Sequence, residues 1–538
     1  MKSFKSFAIA AFAASILFSC GSTSSVISTP LENIDTLPLK TSELTEAEKQ
    51  HWGHLDLKND TIPGMSVDRA YDEIIKNRKG SAVIVAVIDS GIDIDHEDLQ
   101  GSIWTNTKEI PGNGIDDDNN GYVDDVHGWN FLGDGYNEQL EFVRLLASGD
   151  TSHPRYAEAK AERQSEYDKY LGIKTNYEQF LQQITNADDA LEKETKKKNY
   201  TKEDVNAIST SNQTLKQYVA IANYVYSMDF DSLKDAIADI SEGLVDINDR
   251  LNYNLNIDFR GRKTGDNPDD MVEKYYGNNN VKPIKPSESH GTHVAGIIAA
   301  GRHNGIGANG VANNVKIMSI RAVPNGDEYD KDIALAIRYA ADNGAQIINT
   351  SFGKYYSPHS DWVRDAIVYA ASKDVLIVNA AGNEGADLDT KDVYPNDAIG
   401  TGPEVSDNFI SVGSLDPKYG SGMVSSFSNY GKVNVDIFAP GGNIYSTFPE
   451  NTYKSIGGTS MASPAVAGIA ALIRSYYPKL TAPQVKKIIL DSGLALTTKV
   501  IVGGDESNVK PFNELSKSQK IANAYNAMIL AEKTARNL

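Results

Sequence analysis

A chain of 538 residues is long enough to bury one large core carrying a sizeable insertion, or to form two domains. A net charge of -20 argues against nucleic acid as a partner. A single cysteine, Cys20, excludes any intramolecular disulfide.

The chain opens with Lys2 and Lys5 ahead of an apolar stretch from Phe7 to Phe18, and Cys20 follows at once. A basic start, a short apolar run and a small residue before the cut read as a secretory signal over residues 1–19. The run is short for a membrane span, and no later stretch is apolar enough to serve as one. The cysteine at the cut resembles a bacterial lipobox, which implies lipidation of Cys20. The expected location is then the bacterial cell envelope: lipid-anchored, extracytoplasmic, and at the periplasmic face of the outer membrane. An ordinary signal peptide with an incidental cysteine is the alternative. Residues 20–62 read as a lipidated tether and N-terminal extension, Ser/Thr/Pro-rich up to Lys40.

A helical pattern spans Val67 to Ile75. The run from Ala82 to Ile88 is apolar and β-branched and ends at Asp89, which predicts a buried parallel strand delivering a carboxylate at its C-terminal end. Further strands are predicted at Val315–Ala322, Ala345–Asn349, Val375–Ala380, Ile410–Ser414 and Val435–Ala439. Helices are predicted at Asp330–Asn343, Asp361–Lys373, Ser463–Tyr477 and Pro483–Ser492. This alternation predicts an α/β fold, a doubly wound, mostly parallel sheet flanked by helices.

Residues 137–255 break the alternation. They are charged, tyrosine-rich and helical in period. Stripes run through Tyr177, Phe180, Leu181 and Ile184, through Leu215, Tyr218, Val219 and Ala222, and through Leu233, Ile237, Ile240 and Leu244. They predict an insertion of three to five helices, either packed on itself or acting as a lid or an arm that docks a partner.

Three polar positions carry the chemistry. Ser460 lies between glycines and a helical run of small apolar residues, which places a hydroxyl on a tight turn at a helix N-terminus. Such a hydroxyl needs a base to take its proton, and His290 opens another helix of small residues. The base needs a carboxylate to set its tautomer, which Asp89 supplies. The stretches Val87-Ile88-Asp89-Ser90-Gly91, His290-Gly291-Thr292-His293-Val294-Ala295-Gly296 and Gly458-Thr459-Ser460-Met461-Ala462-Ser463-Pro464 resemble the motifs of the subtilisin-like serine proteases, in that family's chain order Asp, His, Ser.

The resemblance covers about residues 63–132 and 285–530, within a peptidase domain expected over 63–535. It implies that His290 is the base and His293 a structural residue. It implies that Asn383, in Ala380-Ala381-Gly382-Asn383-Glu384-Gly385, donates to the oxyanion beside the Ser460 amide. Ser351, Phe352 and Gly353 should line the substrate cleft, pair with an extended peptide and wall the primary pocket, with Ala381 and Gly382 on the facing wall. The loop from Asn396 to Asn408 leaves the base of that pocket unassigned.

Calcium is the expected cofactor, structural in role, with none needed for catalysis. Asp116, Asp118, Asn120, Asp124 and the Tyr122 carbonyl form a D-x-D-x-N-G-x-x-D run that follows EF-hand logic, although His127 stands where the bidentate Glu belongs. The resemblance implies a second site at Asp98 and Asn304 with carbonyls of Ile306 to Ala308.

The resulting expectation is a serine endopeptidase acting on protein or peptide substrates. Its rivals are a narrow processing protease restrained by the insertion, an esterase or ligase using the same triad, and a silent peptide-binding protein. Little room for an inhibitory pro-segment is expected, nor an extra C-terminal domain beyond the helix near Ile521 to Lys533.

Overall fold

In the computed structural model, residue 40 and residues 42–538 are described. The expected signal, Cys20 and most of the tether lie outside them. The strands in chain order are β1 (Val83–Asp89), β2 (Gly128–Asn130), β3 (Val315–Arg321), β4 (Ile347–Thr350), β5 (Leu376–Ala380), β6 (Phe409–Leu415) and β7 (Ile437–Pro440). They continue with β8 (Ile444–Phe448), β9 (Thr452–Ile456), β10 (Leu494–Ala495), β11 (Lys499–Val502), β12 (Asp505–Pro511) and β13 (Lys520–Ile521). Nine of them form one sheet in the order β10-β13-β7-β6-β5-β4-β1-β3-β2, and only the β10–β13 pair is antiparallel. β8–β9 and β11–β12 are separate antiparallel hairpins.

The central strands are apolar throughout because helices cover both faces of the sheet. Every residue of β4, β5, β6 and β7 is buried. On one face, the helices His290–Ala299, Thr459–Tyr476 and Ala524–Ala535 pack with the strands into one apolar cluster. On the other, Asp330–Asp342 and Ser360–Ser372 do the same. The strand order reverses between β1 and β4, and the crevice at such a reversal is where open α/β sheets hold their ligands. Asp89 ends β1, and Ser351 follows β4 directly.

The packed body begins before residue 63. Thr45 and Glu48 close a capping box on the helix Glu46–His51. Trp52 is then fully buried with Leu57 and Ile62 against Phe438 and Ile521, and its indole N–H donates to the Asn443 carbonyl at 3.3 Å. The expected tether therefore gives way to an extension that is part of the core.

The insertion contains five α-helices among the described residues, Glu141–Ala147, Tyr156–Thr195, Lys202–Asn206, Gln213–Ser227 and Leu233–Asp249, the last continued by a π-helical turn at Arg250–Asn254. The second has 40 residues, a length of about 60 Å at the usual helical rise. The C-terminal half of that helix packs with the fourth and fifth helices around Ile184, Leu191, Ala222, Val225, Leu233 and Ile240. Tyr177, at the start of the expected stripe, remains 40% exposed. A smaller cluster of Leu140, Phe142, Val143, Leu146 and Leu255 roots the insertion against Tyr356 of the sheet domain.

Candidate active site

Asp89 is held at the tip of β1 with its side chain almost wholly buried. Its Oδ1 accepts from the Ser90 amide at 2.7 Å and from His290 Nδ1 at 2.7 Å. The His290 helix is docked on this loop by two further bonds. The Gly291 amide donates to Ser90 Oγ at 3.0 Å, and the Gly91 amide donates to Glu288 Oε1 at 3.1 Å. Burial pulls the His290 imidazole down, but the charge of Asp89 and its hydrogen bond outweigh that pull and leave it above the usual 6.5.

Ser460 is the second residue of its helix, so its own amide is among the unpaired N–H groups of the first turn. Pro464, four residues on, has no N–H to return to the Ser460 carbonyl. That carbonyl accepts instead from Ser351 Oγ at 2.8 Å, which ties the serine turn to the end of β4. The Ser460 hydroxyl donates to the Ser351 carbonyl at 3.1 Å. The Asp89–His290 half of the expected relay is therefore formed, whereas the Ser460 hydroxyl is turned to the cleft wall. Unliganded sites commonly hold such a relay loosely.

Asn383 is exposed at the rim of the cleft. Its Oδ1 accepts from both the amide and the hydroxyl of Thr459, each at 2.9 Å. With the oxygen claimed by an N–H, the amide Nδ2 is left as a free donor toward the site. Thr459 Oγ1 also accepts from the Gly382 amide at 3.0 Å, so one hydroxyl fixes both the Gly382 turn and Asn383. The loop is braced from behind by Asn429, which donates to the Ala381 carbonyl and accepts from the amides of Glu384 and Ala386. Gly382 sits at φ +100°, and a Cβ there would lie 2.4 Å from Asn429 Nδ2.

Ser351 is buried, Phe352 half-buried and Gly353 exposed, forming an edge that leads away from Ser460, while Ala381 is buried and Gly382 half-buried. His293 takes the structural position expected of it. It is fully buried, with its Nε2 against the carbonyls of Ile444 and Lys454 at 3.0 and 3.1 Å, and burial drives it down to about 3. Sequence reasoning missed Thr459 and Asn429 as positioning residues, and also the buried pair Glu288–Arg321 at 2.5 Å. That pair lies under the Ser90–Gly91 turn, and the Arg321 guanidinium is satisfied further by Asn130 and the carbonyls of Gly133 and Gly135.

The acidic loop comes together differently from an EF-hand. Glu109, Asp116 and Asp118 bring carboxylate oxygens within 4.8 Å of one another, an oxygen set of the kind a hard cation takes. Glu109 also accepts from the amides of Asp117, Asp118 and Asp124, and Asp116 from those of Asn120 and Gly121. Glu109 was not anticipated. Asp124 is turned elsewhere, its oxygens accepting from the amides of Gly112, Asn113 and Gly114. Asn120 bridges locally, accepting from the Tyr122 amide and donating to Asp125, and the Tyr122 ring packs against Trp129 and Tyr339. At the other expected site, Asn304 Nδ2 donates to Asp98 Oδ1 at 2.6 Å. Asp98 also accepts from the amides of Gly301 and Ala308, so its oxygens face N–H donors.

Comparison with known proteins bears on the family of the chain. The Subtilase family model matches residues 80–509. A thermophilic serine proteinase of Bacillus sp. (strain AK1) is 44% identical over 188 residues, 35% of this chain and 43% of its own length. Subtilisin DY of Bacillus licheniformis is 38% identical over 222 residues, 41% of this chain and 76% of its own. Thermitase of Thermoactinomyces vulgaris is 42% identical over 187 residues, 35% of this chain and 61% of its own. The chain thus spans less than two thirds of the length of the first and third of these relatives.

Proposed function

The chain belongs to the subtilase family, and from that premise we propose that it is a serine endopeptidase whose triad is Asp89, His290 and Ser460. The observation that carries the reading is the 2.7 Å bond from His290 Nδ1 to Asp89, with Ser460 at the start of a helix that packs in one core with the His290 helix. With Nδ1–H committed to the carboxylate, Nε2 is the free base. It takes the proton of Ser460 Oγ as that oxygen attacks a peptide carbonyl, and the Asp89 carboxylate steadies the imidazolium that results. The negative charge on the former carbonyl oxygen falls between Asn383 Nδ2 and the Ser460 amide. His290 then protonates the leaving amine, and water, deprotonated by the same nitrogen, releases the acyl group.

The test is labelling by a serine-directed fluorophosphonate. The wild-type chain labels and Ser460→Ala does not; equal labelling of both sinks the assignment. A cleaved peptide product separates protease from esterase or ligase.

Calcium is the proposed structural ion, with Glu109, Asp116 and Asp118 as its first candidates and Asp98 with Asn304 as a second. Bound calcium would brace the loop that leads into β2. A fall in thermal midpoint on adding a chelator, reversed by calcium, supports it. We propose further that lipid on Cys20 anchors the enzyme in the bacterial envelope, facing the periplasm. Among the described residues, no helix is long and apolar enough to cross a membrane. Release of Cys20→Ser from the membrane fraction tests the anchor. A narrow processing role is favoured over general degradation by the root of the insertion, which bonds to the segment after β3 and to Lys354, next to Ser351–Gly353.

A further inference from the structure

Two extended segments flank the approach to Ser460. One is Ser351–Gly353, leaving β4, whose first carbonyl touches the Ser460 hydroxyl. The other is Asn325–Glu328, which follows β3. The root of the insertion lies along the second segment as an added strand. The Asn325 amide donates to the Tyr136 carbonyl, Glu138 donates back to Asn325, and Asp327 donates to Gln139. The approach is so close that Gly326, at φ +145°, has the Glu138 carbonyl 2.3 Å from where a Cβ would be. Backbone groups alternate sides along an extended segment. Residues 325 and 327 are given to the insertion, whose Arg144 also holds the Asp327 carbonyl at 2.9 Å. The Glu328 carbonyl is the one that also meets the Ser351–Gly353 side, where any peptide between the two segments would pass it.

At Glu328 that space is already crossed. Lys354, directly after Gly353, is buried, and its ammonium donates to the Glu328 carbonyl at 2.8 Å. The same nitrogen meets Glu141 Oε2 of the insertion at 2.9 Å and Asp330 Oδ1 at 3.0 Å. Arg144, one helical turn past Glu141, reaches both Glu141 and the Glu328 carbonyl. The last carbonyl a substrate strand would need on this side is therefore taken by two cations, and one insertion carboxylate holds them both.

Resting on the protease reading above, we propose that the Lys354–Glu141–Arg144 cluster closes the cleft on the N-terminal side of the scissile bond. Substrate recognition is thereby confined to the residues that pair with Ser351, Phe352 and Gly353. The substrate class is one recognised by a short acyl-side segment, and Lys354 and Glu141 set that length. The residues are 213 positions apart and meet only because the insertion is present.

The experiment measures kcat/KM for peptide amides of one sequence, with two to five residues ahead of the cleaved bond. Remote substrate contacts ordinarily raise kcat/KM as length increases. For the wild-type chain we expect a rise up to the third residue and then a change within about twofold, because no remote contact remains to be made. A tenfold or larger gain from the fourth or fifth residue overturns the closure. The triple variant Lys354→Met, Glu141→Gln and Arg144→Met removes both cations and the carboxylate that holds them, so that no member of the cluster is left buried and alone and the Glu328 carbonyl is freed. Asp330 keeps its bonds from Ser357 and the His359 amide. In a variant that still labels with fluorophosphonate, a new dependence on the fourth residue supports the proposal, and an unchanged flat profile overturns it. If the variant does not fold, the wild-type series decides alone. A wild-type chain that labels but shows steep length dependence sinks the closure only. One that neither labels nor cleaves sinks the protease reading, and the closure falls with it.

Discussion

The sheet and the insertion are built on opposite plans. In β6 every residue is buried, whereas the 40-residue helix of the insertion buries fully only Ala159, Ile184, Ala187 and Leu191. A layer covered on both faces is close-packed and holds the ends of its strands firmly, and those ends carry Asp89 and Ser351. A helical arm with its own small core can shift or loosen without moving them. Catalytic geometry should therefore depend on the sheet, and access should depend on the root of the insertion.

The largest effect expected is at the sheet. Asp89→Asn leaves the shape of the site but offers His290 an amide where it needs a carboxylate, so the imidazole no longer keeps the proton on Nδ1. Turnover should fall about 10⁴-fold, a loss typical of triads whose carboxylate is replaced by an amide. A loss under tenfold would mean that β1 does not set the tautomer, and the contrast between the two regions would collapse. Next comes Asn383→Ala, which removes the proposed oxyanion donor. A fall of about 10²–10³ in kcat with little change in KM is expected. Thr459→Val should reproduce part of that loss, since the Thr459 hydroxyl holds Asn383 in place.

The insertion should answer differently. Leu191 is fully buried in its core, and Leu191→Ala should destabilise the arm by about 2–5 kcal/mol in denaturant unfolding. Cleavage of a short peptide should stay within about twofold of wild type, since no contact of the arm core reaches the site and distant sites act independently. A parallel collapse of activity would show that the arm and the sheet unfold as one unit.

Much of the sheet and of the site was legible because both are written locally. An unbroken β-branched run such as Val83–Ile88 has few alternatives to a buried strand, and a serine between glycines and small residues has few alternatives to a tight helix start. What escaped was long-range polar pairing. Nothing near Lys354 in the chain announces Glu141, and nothing near Arg321 announces that Glu288 will lie under the Ser90 turn. Trp52 was hidden for a similar reason. It stands in a polar stretch that reads only as an N-terminal extension, and Phe438 and Asn443, far along the chain, supply its pocket. The acidic loop was half legible: the oxygens at Asp116 and Asp118 converge, but Glu109 arrives from outside the repeat and Asp124 is taken up by the amides of Gly112–Gly114.

The smallest effect expected is a displacement on the pH axis, and it too separates the two regions. His290 is raised above 6.5 because the Asp89 charge outweighs burial. The base works only when neutral, so the acidic limb of kcat/KM should lie above pH 6.5 in the wild-type chain. The same raised value means that the pair stabilises the fold below the unfolded value near 6.5, and that this stabilisation is lost as pH rises through the folded value. Asp89→Asn removes the upward pull and leaves burial acting alone, so the limb should move to lower pH even as the rate falls. Leu191→Ala should not move it, because no titratable group of the arm core faces His290. A limb that shifted with Leu191→Ala and stayed put in Asp89→Asn would reverse the assignment of precision to the sheet.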